Sequence, residues 1–192
     1  MRRRFISGAI AILALGTIAI PGSADAHGPH TRRVRLLDNC DPATFNAAIP
    51  PQNPGDPPTC IPHGKHTVTF DEFLSKLNPT DFGHEDWANK PDDLELQAGD
   101  SIKAVVRGGE FHTFTKVDEF GPGCVPFINE SLGLTGPPAA DCGLIPATGV
   151  LPNGLSTLTV SGLAPGTYKY MCLIHPWMRT VVTVEGDQED DD

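Results

Sequence analysis

Apolar positions fall into two patterns along the chain. The first is continuous: ISGAIAILALGTIAI runs from residue 6 to residue 20 with almost no polar side chain. The second alternates and begins near residue 92. Asp93-Leu94-Glu95-Leu96-Gln97 has period two, Ala98-Gly99-Asp100 turns, and SIKAVVR is a second β run. Gly108-Gly109 supplies another turn and FHTFTKV a third strand. After a long Gly- and Pro-rich connection over 118–155, the runs STLTVSG, TYKYMC and MRTVVTVEG read as further strands. Period-two runs separated by turn residues, with no interleaved helical periodicity, predict an all-β antiparallel sandwich.

The continuous run has a different meaning. MRRRF precedes it and Ala24-Asp25-Ala26 follows, a small-x-small cleavage pattern. At 15 residues the run falls short of the roughly 20 that span a bilayer. The segment 1–26 therefore reads as a secretory signal, with a mature protein starting at His27 and exported to a periplasm or the cell exterior. Residues 27–89 read as a loop-rich extension. It holds a candidate strand at VRLLD and a short helix FDEFLSKL, opened by a capping box from Thr69 to Glu72. The sandwich domain is expected over 90–186, and 187–192 (DQEDDD) as an acidic, disordered tail.

Composition narrows the partners. The chain has a formal charge of −10, and removing three Arg and one Asp with the leader takes it to −12. That sign argues against nucleic acid and anionic membranes as partners and is compatible with a redox partner protein that has a basic docking surface. A monomer is expected. The 20 Gly and 19 Pro fit a turn-rich β protein.

Five cysteines in an exported chain leave at least one unpaired. Four allow three pairings. Cys40–Cys60 and Cys124–Cys142 are favoured, because each would staple a Pro-rich segment with little core of its own. Cys172 is then the odd one, in Cys172-Leu173-Ile174-His175-Pro176-Trp177-Met178 between two β runs. A thiolate, an imidazole and a thioether on one short loop suit copper, which a second histidine would complete into the His₂Cys-plus-weak-Met set of blue electron-transfer sites. His112, at the start of a strand after the glycine pair, is the best candidate. His63, His66 and His84 in turn-rich sequence, and His27 and His30 near the mature start, compete with it. No paired C-x-x-C or H-x₃₋₅-H completes a zinc site.

With those residues in view, 90–186 resembles the cupredoxins, the blue copper family of plastocyanin, pseudoazurin and amicyanin. LELQAGDSIKAVV, GGEFHTFTKV and APGTYKYMCLIHPWMRTVVTVEG carry the likeness, and the short C-x₂-H-Pro-x-Met spacing is most like amicyanin. The resemblance implies a Greek-key β-sandwich holding one type 1 copper ion. His112, Cys172 and His175 would be the strong ligands and Met178 the axial one. It implies a one-electron carrier rather than an enzyme; the alternative is copper storage, delivery or resistance without a redox partner. It also implies that His175 presents an edge to solvent through an apolar patch, here from Leu173, Ile174, Pro176 and Trp177. Thr113 stands where many members have Asn, so the tie between the two ligand segments is expected to be made differently.

Overall fold

The computed structural model describes residues 29–186. The segments expected as a signal (1–26), with the expected mature start at His27, and as an acidic tail (187–192) lie outside the described residues. Among the described residues, ten strands form two four-stranded sheets and a two-stranded ribbon. The first sheet has the order β2-β1-β4-β8, with β1 Thr31–Leu37, β2 Ala88–Lys90, β4 Ser101–Arg107 and β8 Leu158–Val160. The second has the order β3-β10-β9-β6, with β3 Asp93–Gln97, β10 Arg179–Glu185, β9 Gly166–Met171 and β6 Thr115–Val117. The ribbon joins β5, His112–Thr113, to β7, Gly149–Val150.

Alternation explains which faces meet. Val34 and Leu36 of β1 and Ile102, Ala104 and Val106 of β4 point inward from one sheet. Leu94 and Leu96 of β3 and Thr180, Val182 and Val184 of β10 point inward from the other. These rows form one core, so the protein is a β-sandwich. Its pairings are mixed rather than purely antiparallel: β1 runs parallel to β4, and β3 parallel to β10.

Two features depart from the sequence reading. The boundary at residue 90 does not separate an extension from the sandwich. β1 is a central strand, in register with β4 from Thr31↔Ser101 to Leu37↔Arg107. Only Val34 and Leu36 turn inward among four exposed positions, including three arginines, which made the strand hard to weigh. The connection over 118–155 is also less irregular than its composition suggests. It contains the helix Pro126–Ser131 and a one-turn helix Ile145–Thr148, each with a proline in its first turn and too short to show a period.

Between β1 and β2 the chain folds over one end of the sandwich. Helix α1, Pro42–Ala48, is capped by Asp41, which accepts a hydrogen bond from Thr44 N. Helix α2, Phe70–Ser75, has the expected Thr69–Glu72 capping box. Phe45, Phe70, Phe73 and Trp87 pack ring to ring there, with centroids 4.8 to 6.3 Å apart. The disulfides are Cys40–Cys60 and Cys124–Cys142, as favoured, and Cys172 is free and buried.

Candidate metal centre

β9 ends at Met171 and β10 begins at Arg179, so residues 172–178 must reverse the chain in one short loop. Cys172 N donates to Met178 O at 3.0 Å and Met178 N to His175 O at 2.9 Å. Backbone bonds thus close the loop at both ends of the sequence Cys-x₂-His-x₂-Met. β5 lies beside it. Thr113 N–H points at Cys172 Sγ (3.4 Å), and Thr113 Oγ1 accepts from Leu173 N at 2.8 Å. Thr113 thereby ties the two segments through its backbone and its hydroxyl together.

The tie brings together the side chains singled out in the sequence. Cys172 Sγ is 3.7 Å from His112 Nδ1 and 3.8 Å from His175 Nδ1, and the two Nδ1 atoms are 3.3 Å apart. His112 and Cys172 are 0 % exposed and His175 3 %. Met178, at the far end of the loop, is fully buried as well. The competing histidines stand elsewhere: His66 is exposed and, with His84, sits near Asp86, while His63 lies against the Cys40–Cys60 disulfide.

Sequence reasoning missed the residue behind His112. Asp38, one residue past β1 and fully buried, accepts a hydrogen bond from His112 Nε2 at 2.8 Å. Gly109 N donates to the same carboxylate at 2.8 Å, with weaker contacts from Glu110 N. The bond from Nε2 leaves the Nδ1 lone pair of His112 facing the sulfur. Gly108-Gly109 is required by close approach. A Cβ on Gly108 would lie 1.9 Å from the Asp38 carboxylate, and one on Gly109 2.5 Å from Ile61 O. The only sequence signal for this arrangement was the glycine pair, which reads equally well as a turn.

The electrostatics follow from burial and contact. For His112, burial acts downward, but the hydrogen bond to Asp38 and the neighbouring Cys172 outweigh it, and its pKa is pushed up to about 10. Burial raises the Cys172 thiol, yet hydrogen bonds from His112 and His175 hold it well below the ordinary thiol range. Burial works against ionised Asp38 too; the His112 contact overcomes it and keeps the carboxyl low. Glu110 is pushed up, by burial first and by the charge of Asp38 among its other neighbours.

Around His175 the structure corrects the expectation of a solvent-facing edge. Phe73 meets the imidazole edge-on at 6.1 Å, Trp177 at 5.3 Å, and Glu110 Oε2 lies 3.9 Å from its Nε2. Leu173 and Pro176 are buried, leaving Ile174 and Trp177 partly exposed. The cause is α2, whose Phe73 covers the ring and is itself backed by Phe45 and Trp87. An apolar cleft of about 380 Å³, walled by Phe45, Ile49, Phe111 and Ile174, still reaches His175 and Glu110.

Two imidazole nitrogens and a sulfur facing one another at 3.3 to 3.8 Å present three lone pairs to one point. They repel unless positive charge lies among them, as protons or as a metal cation. Two neutral nitrogens and a thiolate form a soft, compact set, and that donor chemistry fits copper.

No family model matches the chain, and no curated protein matches it. Among solved structures it is similar to cupredoxins. A purple cupredoxin from Nitrosopumilus maritimus is 17 % identical, with a TM-score of 0.37 over 57 % of this chain and 95 % of that one. Plastocyanin from Dryopteris crassirhizoma is 17 % identical, with a TM-score of 0.34 over 54 % and 91 %. A reduced amicyanin variant is 21 % identical, with a TM-score of 0.31 over 49 % and 70 %. Likeness at that level leaves the fold to rest on the strand pairing and burial described above.

Proposed function

We propose that this chain is an exported cupredoxin that binds one type 1 copper ion and carries single electrons. His112 Nδ1, Cys172 Sγ and His175 Nδ1 would hold the ion, with the Met178 thioether as a fourth, weaker donor. The observation that carries the reading is the convergence of two buried imidazole nitrogens on the sulfur of the one cysteine outside the disulfides.

Bound copper supplies a reversible one-electron couple. The chain's own residues do the rest. Asp38 sets which nitrogen of His112 faces inward, and Thr113 N–H steadies the sulfur. The loop bonds between Cys172, His175 and Met178 keep the donors in place whichever charge the ion carries. Phe73 and Trp177, in ring contact with His175, and Trp87 packed against Phe73 leave only the apolar cleft open on the His175 side. Full burial of the donors favours a carrier over a delivery protein, because a metal to be handed on needs an open coordination side. Trp177, partly exposed and in ring contact with His175, is the proposed point of electron entry, and a partner with a basic surface would dock there.

The test is the visible and paramagnetic resonance spectra of the protein loaded with one equivalent of Cu(II), as wild type and as Cys172→Ser. Strong thiolate-to-copper absorption in the wild type that vanishes in the variant is expected. A colourless wild type would exclude the reading.

A further inference from the structure

The apolar cleft beside His175 is walled by two parts of the chain that the donor set does not use. Helix α1 and the segment Pro57-Pro58-Thr59 form one side, Val125 and Ile128 the other. Each side is stapled where it meets the cleft, because Cys60 follows Thr59, Cys124 precedes Val125, and both are in disulfides. Asn46 Nδ2 donates to Cys60 O at 2.8 Å and Cys60 N to Asn46 Oδ1 at 2.9 Å, while Thr59 Oγ1 donates to Ile49 O at 2.7 Å. Those bonds clamp the segment to α1. Walls held in this way do not close over the space between them, so the cleft is preformed.

The inner end is lined by buried Phe45, Phe73 and Ile128, and the mouth by exposed Ile49, Pro57 and Pro58. Three polar side chains reach it: Thr59, Glu110 and His175. Thr59 is engaged by Ile49 O, and His175 turns Nδ1 toward the sulfur. Glu110 is different. Its side chain is 8 % exposed, and its Oε2 accepts from Trp87 Nε1. Its Oε1 has no hydrogen-bond partner among the described residues. A buried carboxyl oxygen left without a donor is costly, and a donor brought in through the cleft would remove that cost.

We infer that this cleft binds a small neutral aromatic compound bearing a single O–H or N–H donor, its ring among Phe45, Phe73 and Phe111 and its donor on Glu110 Oε1. The site goes beyond the copper reading and does not depend on it. Elimination gives the class. An anion would meet the carboxyls of Glu110 and Asp38, which stand together around Cys40 Sγ. A primary ammonium brings three N–H donors to one free oxygen and apolar walls, so most of them would be stranded away from water. A hydrocarbon leaves Oε1 as it was. A neutral ring with one donor satisfies that oxygen and covers the phenyl faces. The volume, about 380 Å³, lies at the small end for ligand clefts and suits a compound the size of phenol or indole.

The probes are phenol and indole, with anisole, benzoate and benzylammonium for comparison. Each is titrated into the purified protein, metal-free and again loaded with diamagnetic Cu(I), while ¹H–¹³C resonance follows the δ1 methyls of Ile49, Ile128 and Ile174, which line the cleft. Saturable ring-current shifts at those methyls are expected with phenol and indole. Phenol should bind about tenfold more tightly than anisole, which has the same ring but no donor; that ratio is the share of one hydrogen bond. Benzoate should leave the methyls unmoved, and benzylammonium should bind more weakly than phenol. Glu110→Met, which keeps the length of the side chain without its oxygens, should erase the preference for phenol over anisole. If that variant does not fold, the phenol–anisole comparison in the wild type decides alone. Equal binding of the two, tighter binding of benzylammonium, or shifts that never saturate overturn the inference and leave the copper reading standing. A colourless copper-loaded protein whose methyls still report phenol would overturn the copper reading and support this one.

Discussion

Asp38 decides more of the chemistry than any residue except the donors themselves. Its carboxylate is buried, accepts from His112 and Gly109, and has no water to fall back on. Asp38→Ala leaves those donors unpaired and should cost about 3–5 kcal/mol of stability, read from denaturant unfolding of the metal-free protein. The same carboxylate raises His112 to about 10, above its ordinary value near 6.5. A folded pKa above the unfolded one adds stability that is fully present below about 6.5 and lost as pH rises through about 10. His112 therefore holds a proton at neutral pH when no metal is bound, while contact with the two imidazoles holds the Cys172 thiol well below its ordinary range. Copper loading at pH 7 should release about one proton, counted with an indicator dye in weak buffer, and Asp38→Ala should reduce that count. The donors were legible as residues because type and spacing sit together in one loop. Asp38 was not, since 74 positions separate it from His112 and an Asp before a turn carries no mark of its partner.

At the scale of elements, the strands were read well where apolar and polar positions alternate cleanly, as in Asp93–Gln97 and Arg179–Glu185. β1 was undervalued because long-range parallel pairing leaves no local signal. Helix α2 was found by its capping box, but its role was hidden: nothing in FDEFLSKL says that Phe73 will lie over an imidazole 102 positions away. Phe73→Ala should open a path from solvent to His175. We expect a loss of about 3–5 kcal/mol for the emptied volume and faster removal of Cu(I) by a competing chelator, followed as a stopped-flow transient. Chelation no faster than in the wild type, in a folded variant, would show that α2 does not guard the ring.

For the whole molecule, charge and covering act together. A formal charge of −10 favours the approach of cations from a distance, while Phe73 of α2 covers the His175 ring. Electron exchange with a small cationic complex should outpace exchange with an anionic one of similar driving force. The advantage should shrink as ionic strength rises from about 0.01 to 0.15 M, where screening shortens from about 30 to 8 Å. Equal rates at low salt would remove steering from the account.

The backbone bonds that shut the 172–178 loop and pin Thr113 against it involve no metal at all. The nest is thus complete in the polypeptide before any ion arrives. On the copper reading, such a molecule would finish folding first and be charged afterwards, so the timing of its activation would be set by where copper is available and not by when the chain is made.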